Sequence, residues 1–147
     1  MTSTPKAKPA LARATAGLTA ARILDCGCGT GSNLEMLRPY GNAVGFDLTR
    51  IGTEFARAHG HRVAQASISD IPFRTGHFDL VTSFDVFQVL PDAVEQSAIV
   101  EMARVLKPGG WMLLHVAASN NGREPRFLLS GGVDLPSMWA HLDRMVR

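Results

Sequence analysis

A chain of 147 residues, 46% of them hydrophobic and with a formal net charge of +2, is long enough to close one core and too short for two comfortable ones. Its basic residues are dispersed, so it lacks the concentrated Lys/Arg footprint that nucleic-acid binding calls for. The two cysteines, Cys26 and Cys28, are one residue apart, which suits neither a disulfide framework nor the usual zinc spacing; a reducing, cytoplasmic setting and no metal are expected.

Residues 1–20 hold basic residues and alanines but no apolar stretch of a signal sequence, and they read as a tail passing into a short helix. No run approaches the ~18 apolar residues of a membrane span. "RILDCG" then reads as a buried strand, and "SNLEMLR" as a helix with Leu34 and Leu37 on one face, stopped by Pro39. "NAVGFD" gives a second strand. After it Thr49 can cap a helix whose face is Ile51, Phe55 and Ala58 and whose terminator is Gly60. "HRVAQA" is a weaker third strand, and "FDLVTSF" a strong fourth. Asp92 with Glu95 reads as a capping-box variant at the head of a long helix with the stripe Val94, Ala98, Met102, Val105 and Leu106. "KPGG" ends that helix and "WMLLHVA" is the fifth strand.

Strands alternating with helices predict a doubly wound α/β fold, a mostly parallel sheet covered on both faces. In such sheets the ligand sits outside the carboxyl ends of the strands, where the glycines of "ILDCGCGTG" fall. Glycines there let the chain bend tightly and let a ligand lie against the backbone. Asp47 closes the second strand and can accept hydrogen bonds from both hydroxyls of a ribose. The dinucleotide pattern GxGxxG is matched poorly, because Ser32 stands at its third position and Gly31 comes one place early.

The pattern is instead DxGxGxG, and it is joined by "VGFDLT", "DIPF", "HFDLVTSFDVFQVL" and "EMARVLKPGGWMLL", in order across residues 22–117. In these motifs the chain resembles the class I S-adenosylmethionine-dependent methyltransferases of the small-molecule group. The resemblance implies a Rossmann-like sheet of strand order 3-2-1-4-5, S-adenosyl-L-methionine as cofactor, and in-line methyl transfer to a small-molecule acceptor, with no nucleic acid and no membrane. Gly27, Gly29 and Gly31 would face the methionine part, Asp25 would order the turn or hold the amino group, and Asp47 would take the ribose hydroxyls. Leu48 and Ile68 would wall the adenine. Ser67 stands where the family usually has an acid, which implies weaker adenine selection. Ser83 to Asp85 would border the methyl group, and Asp85, Gln88 and His77 are the candidate bases should the acceptor need to lose a proton. His115 reads as a satisfied core histidine, and Cys26 and Cys28 as small apolar filler.

The resemblance covers a core of residues 21–118 and leaves 119–147 as an atypical tail. Met138, Trp139, Leu142, Met145 and Val146 predict an amphipathic helix there, with "RFLL" the one stretch of strand character. The family's antiparallel strand pair is therefore expected to be lacking, as in a truncated or frameshifted chain. The fifth strand would then be an open edge through which the chain self-associates. Two rival functions remain: a non-catalytic or partner-dependent cofactor-binding fragment, and a nicotinamide-dependent oxidoreductase.

Overall fold

The computed structural model describes residues 7–116, 126–131, 136 and 140. A six-stranded sheet runs in the order β3-β2-β1-β4-β5-β6. Its strands are β1 (Arg22–Cys26), β2 (Asn42–Asp47), β3 (Val63–Gln65), β4 (Phe78–Phe84), β5 (Leu106–Val116) and β6 (Arg126–Gly131). The first five are parallel, as expected from the alternation of strands and helices. The helices are α1 (Ala7–Thr15), α2 (Ser32–Leu37), α3 (Arg50–Ala58) and α4 (Asp92–Val105).

Neighbouring side chains on a strand point to opposite faces, and the core divides accordingly. Leu24, Val81 and Met112 pack with Ile99 and Met102 of α4 on one face. Ile23, Leu80 and Leu113 pack with Leu34 and Leu37 of α2 and with Ala7, Leu11 and Ala14 of α1 on the other. Burial on both faces is why the strands read as apolar runs rather than as alternations.

Four details depart from the sequence reading. The buried face of α3 is Gly52, Thr53 and Ala56, while Ile51 is 83% exposed and Phe55 50%. Close packing decides this: a Cβ on Gly52 would lie 2.7 Å from Thr49 Oγ1 and 3.3 Å from the carbonyl oxygen of Gly29, so the helix turns its smallest residues toward the glycine turn. At the head of α4 the cap position is Pro91, with no side-chain cap bond, and its carbonyl accepts the amides of Val94 and Glu95. Asp92 already lies inside the first turn, so no capping box forms. "KPGG" does not end α4, which stops at Val105, but lies within β5 as a bulge opposite Asp79, whose carboxylate Lys107 meets at 3.1 Å.

The fourth correction concerns the edge. The segment containing "RFLL" is β6, and it pairs antiparallel along β5 from Trp111↔Gly131 to Val116↔Arg126. β5 is therefore an interior strand, and it offers no open ladder for self-association. One antiparallel strand of the kind expected to be missing is present. Pro136 and Ala140 are helical, whereas the predicted stripe from Met138 to Val146 lies outside the described residues. Among the described residues no helix is long and apolar enough to cross a membrane.

Candidate functional site

Parallel strands deliver their carboxyl ends to one side of the sheet, and the turn after β1 is built there from glycines in left-handed backbone: Gly27 at φ +75°, Gly29 at +52° and Gly31 at +97°. The amides of Gly27 and Cys28 both donate to the carbonyl of Phe46 at 2.9 Å, locking the turn to the end of β2. Each glycine is needed for a different reason. A Cβ on Gly27 would lie 2.5 Å from Val86 Cγ2, and one on Gly31 would lie 2.6 Å from the His61 ring. A Cβ on Gly29 would meet nothing within 4 Å. The turn therefore leaves open space above its middle residue.

Asp47, the last residue of β2, fastens this turn to α3. Its Oδ1 accepts the Gly29 amide at 3.2 Å, and its Oδ2 accepts the Thr49 amide at 3.0 Å and the Thr49 hydroxyl at 2.7 Å. Beside it opens a cleft of about 570 Å³, lined on one side by Gly27, Asp47, Leu48, Ser67 and Ile68. The other side is lined by Phe84, Asp85, Val86, Val89 and Leu90. Among the described residues no Lys, Arg or His lines it. The volume lies within the roughly 300–1,000 Å³ usual for small-molecule and cofactor sites.

Of the nine residues assigned to the cofactor from the sequence, Gly27, Asp47, Leu48, Ser67 and Ile68 line the cleft. Leu48 is 70% exposed and Val89 74%, a large apolar area at the mouth. The Ser67 hydroxyl is 2.8 Å from that of Ser69 and accepts the Ser69 amide at 3.2 Å, so it shapes its own loop as well as the wall. Gly29 serves through its amide on Asp47. Gly31 packs against His61, away from the lining. Asp25 stands behind the turn, fully buried, with its Oδ1 accepting the Thr82 hydroxyl at 2.8 Å. Burial pushes its carboxyl up to about 7, the Thr82 hydrogen bond opposing and the Asp47 charge adding to the rise. Ser83 is likewise fully buried, and its Oγ has no hydrogen-bond partner among the described residues.

The three candidate bases separate in space. Asp85 lines the cleft. Gln88 is exposed on the short 3-10 helix Phe87–Val89 and does not line it. His77 precedes β4 at its amino end, roughly 20 Å of strand from the cleft, and its Nδ1 accepts from Arg74 Nε at 2.9 Å. Partial burial, then the nearby Arg74, Arg22 and Lys107 charges, hold it below the usual histidine range.

Cys26 and Cys28 are free and buried, and burial raises the Cys28 thiol to about 12 and the Cys26 thiol well above its ordinary value, which leaves both inert. Among the described residues no three His, Cys, Asp or Glu side chains gather as a metal site.

Two features escaped the sequence reading. The apolar wall from Val86 to Val94 follows β4 directly, and its place after a strand end was the signal for it. The Asp85–His115 contact, with Oδ1 and Nδ1 at 2.7 Å, joins residues 30 apart and shows only through strand register.

These residues fit an adenosyl group. The open space over Gly29 takes a chain lying on the backbone, the Asp47 carboxylate at the strand end suits a ribose, and Leu48 and Ile68 offer an apolar slot for a base.

Comparison with known proteins gives the same direction. Residues 24–114 match the family model described as a methyltransferase domain. A ubiquinone biosynthesis O-methyltransferase of Thiobacillus denitrificans is 32% identical over 113 residues, which make up 71% of this chain and 48% of that protein. A probable tRNA methyltransferase 9B of Bos taurus is 36% identical over 97 residues, 65% of this chain and 21% of that one. A solved complex of the Haloferax volcanii Trm112 methyltransferase activator and a putative methyltransferase contains a chain that superposes with a TM-score of 0.65 at 30% identity, covering 75% of this chain and 50% of that one. The chain thus spans about half the length of the ubiquinone-type relative, and less of the tRNA-type one.

Proposed function

The chain belongs to the methyltransferase-domain family, whose cofactor is S-adenosylmethionine, and we propose that it transfers that cofactor's methyl group to a small, largely apolar acceptor. One observation carries the acceptor class: the described lining of the cleft beside Asp47 is mostly apolar, and among the described residues no cationic side chain contributes to it. A nucleic-acid acceptor would bring phosphates, which need Lys or Arg beside them. A small neutral molecule needs none.

When bound, the cofactor supplies a methyl group on a sulfonium, already activated for in-line displacement. The chain's own part is then to bind, align and dry the site. Asp47 would accept from the ribose hydroxyls while keeping the Gly29 amide, since a carboxylate oxygen has room for more than one donor. Leu48 and Ile68 would hold the adenine between apolar surfaces, and Ser67 would accept from its amino group without the charge of an acid. Gly27 and Gly29 would let the methionine part approach the backbone. Val86, Val89 and Leu90 would press the acceptor toward the methyl group and exclude water.

A second reading is favoured by the superposition on a chain from a complex with a methyltransferase activator: this domain would hold the cofactor and reach full activity with a partner protein.

Isothermal calorimetry against S-adenosylmethionine, S-adenosylhomocysteine and NAD tests the proposal, followed by transfer of a labelled methyl group to a panel of neutral aromatic acceptors. Binding of both adenosyl compounds, indifference to NAD and labelled product are expected. Tight NAD binding, or transfer to RNA in preference to the small acceptors, would overturn it.

A further inference from the structure

Asp85 differs from every other polar residue of the cleft. Its φ is +61°, in the left-handed region, which Asp tolerates better than most residues but which Gly would adopt freely. It is tied twice to one residue of the neighbouring strand. Its N–H donates to the carbonyl of His115 at 2.9 Å, and its Oδ1 lies 2.7 Å from His115 Nδ1. Register produces this, because Phe84 lies opposite His115 and the chain turns just past it. The imidazole is 7% exposed and the carboxylate 52%, so the pair runs from the core to the cleft. A residue serving only the turn needs neither a carboxylate nor a buried imidazole to orient it.

We propose that Asp85 takes the proton that the methyl-accepting group gives up, and that His115 is its positioning residue. This rests on the methyl-transfer reading above. Asp85 shares the cleft lining with Phe84, Val86, Val89 and Leu90, so an acceptor seated among those apolar side chains would cover the carboxylate and strengthen a hydrogen bond to it. A fixed base narrows the accepting group. An amine can use its lone pair before it loses a proton, whereas a hydroxyl must lose its proton to end as a neutral ether. A phenol, with an ordinary pKa of about 10, is within reach of carboxylate assistance. The oxygen gains its bond to the methyl carbon as its O–H bond breaks toward Asp85. The carbon–sulfur electron pair stays on sulfur, and the carboxylic acid then returns the proton to water. His115 keeps its Nδ1 proton throughout, fixing which oxygen of Asp85 is turned to the cleft.

The test uses 4-nitrocatechol, whose absorption reports its ionisation, with the protein saturated with S-adenosylhomocysteine. Wild type should displace the bound, still protonated probe's absorption to longer wavelength, as a hydrogen bond from its O–H to a carboxylate does, at a pH where the free probe is protonated. Asp85→Asn, which tolerates the same backbone, should bind S-adenosylhomocysteine as wild type does, lose the displacement, and slow methylation of the probe roughly 100-fold or more. His115→Phe keeps the packing and should reduce the displacement in part, with kcat falling more than KM rises. In the ligand-free protein the His115 Nδ1 proton resonance should move when Asp85 becomes Asn. Asp85→Gly, which frees the backbone, should keep or raise the thermal midpoint while losing the displacement. No displacement in wild type, or a displacement that survives in Asp85→Asn, overturns the proposal, and a His115→Phe indistinguishable from wild type removes His115 from it. Failure of wild type to bind S-adenosylhomocysteine would instead overturn the methyl-transfer reading itself.

Discussion

Asp47 and Gly29 are joined by a hydrogen bond of 3.2 Å, from the amide in the middle of the glycine turn to the carboxylate at the end of the neighbouring strand. The same carboxylate holds Thr49 at the start of α3, so one side chain sets the spacing of β1, β2 and the helix that follows β2. Asp47→Ala should therefore do two things. Loss of charged hydrogen bonds to a bound ribose should weaken S-adenosylmethionine by roughly 1.5–3 kcal/mol, about tenfold to a hundredfold. Loss of the anchors on Gly29 and Thr49 should also lower the thermal midpoint. Calorimetry and a melting curve separate the two, and unchanged affinity would remove Asp47 from the ribose site.

Gly27 and Gly29 make a contrasting pair. Gly27→Ala places a methyl 2.5 Å from Val86 Cγ2 in left-handed backbone, so both strain and a displaced cleft wall follow, with a stability loss of about 1–3 kcal/mol expected. In Gly29→Ala the methyl meets nothing within 4 Å, and only the backbone cost of about 1–2 kcal/mol applies. Cofactor affinity should nonetheless fall in Gly29→Ala, because the added methyl enters the space above the turn. If that variant bound the cofactor normally, the space would belong to something else.

The doubly buried strands were legible residue for residue, because such a strand is a bounded apolar run; "NAVGFD" and "FDLVTSF" are β2 and β4 as they stand, whereas β3 is only the middle of "HRVAQA", and β5 begins at Leu106, ahead of "WMLLHVA". Helix faces were harder. Ile51 and Phe55 point outward because Gly52 must approach the glycine turn, a tertiary demand that residue hydrophobicity does not carry. In the cleft, Gly27 and Asp47 line the wall as their spacing led one to expect, while Gly31 packs against His61 instead. The Asp85–His115 pair was not legible in this way, since parallel register across 30 positions leaves no local trace.

Ser67 lines the cleft where an acid was expected from the family pattern. Ser67→Asp should tighten S-adenosylmethionine if its carboxylate reaches the adenine amino group, against the cost of desolvating it and of losing the contact with Ser69. The comparison with S-adenosylinosine, which lacks that amino group, isolates the gain. An equal effect on both ligands would show that position 67 does not read the base.

β5 is covered by β6, and Leu113 is fully buried between the sheet and the helices α1 and α2. Leu113→Lys should accordingly unfold the domain or cost several kcal/mol, on the order of 3–5. Hydrogen exchange of the Leu113–Val116 amides should be slow and independent of protein concentration. Protection that disappears on dilution would mean that another chain, and not β6, supplies the ladder.

Asp25 gives the protein a pH dependence of unusual sign for a carboxylate. Burial pushes its carboxyl up to about 7 in the folded protein, from an ordinary value of 3.8. Between those values the folded chain keeps a proton that the unfolded chain has released, so stability falls as pH rises through the window and levels off above it. A shift of about three units corresponds to a few kcal/mol at most, on the order of 1.4 per unit. Asp79 and Glu101 act in the opposite direction and lower on the scale. For Asp79 burial raises the carboxyl but the Arg22 amide and Lys107 outweigh it, and for Glu101 the Arg104 guanidinium leads, so both stay below the usual range and lose their contribution only in acid. A comparison of wild type with Asp25→Asn cancels those common terms. The amide matches the protonated acid in shape and charge and can still accept from Thr82, so the two proteins should be nearly equally stable near pH 4. Near pH 8 the variant should be the more stable by a few kcal/mol, read from urea unfolding at each pH. A stability difference that stayed constant from pH 4 to 8 would mean that Asp25 keeps one charge state in both folded and unfolded chains, and that the buried carboxylate is held by some interaction other than the Thr82 hydroxyl.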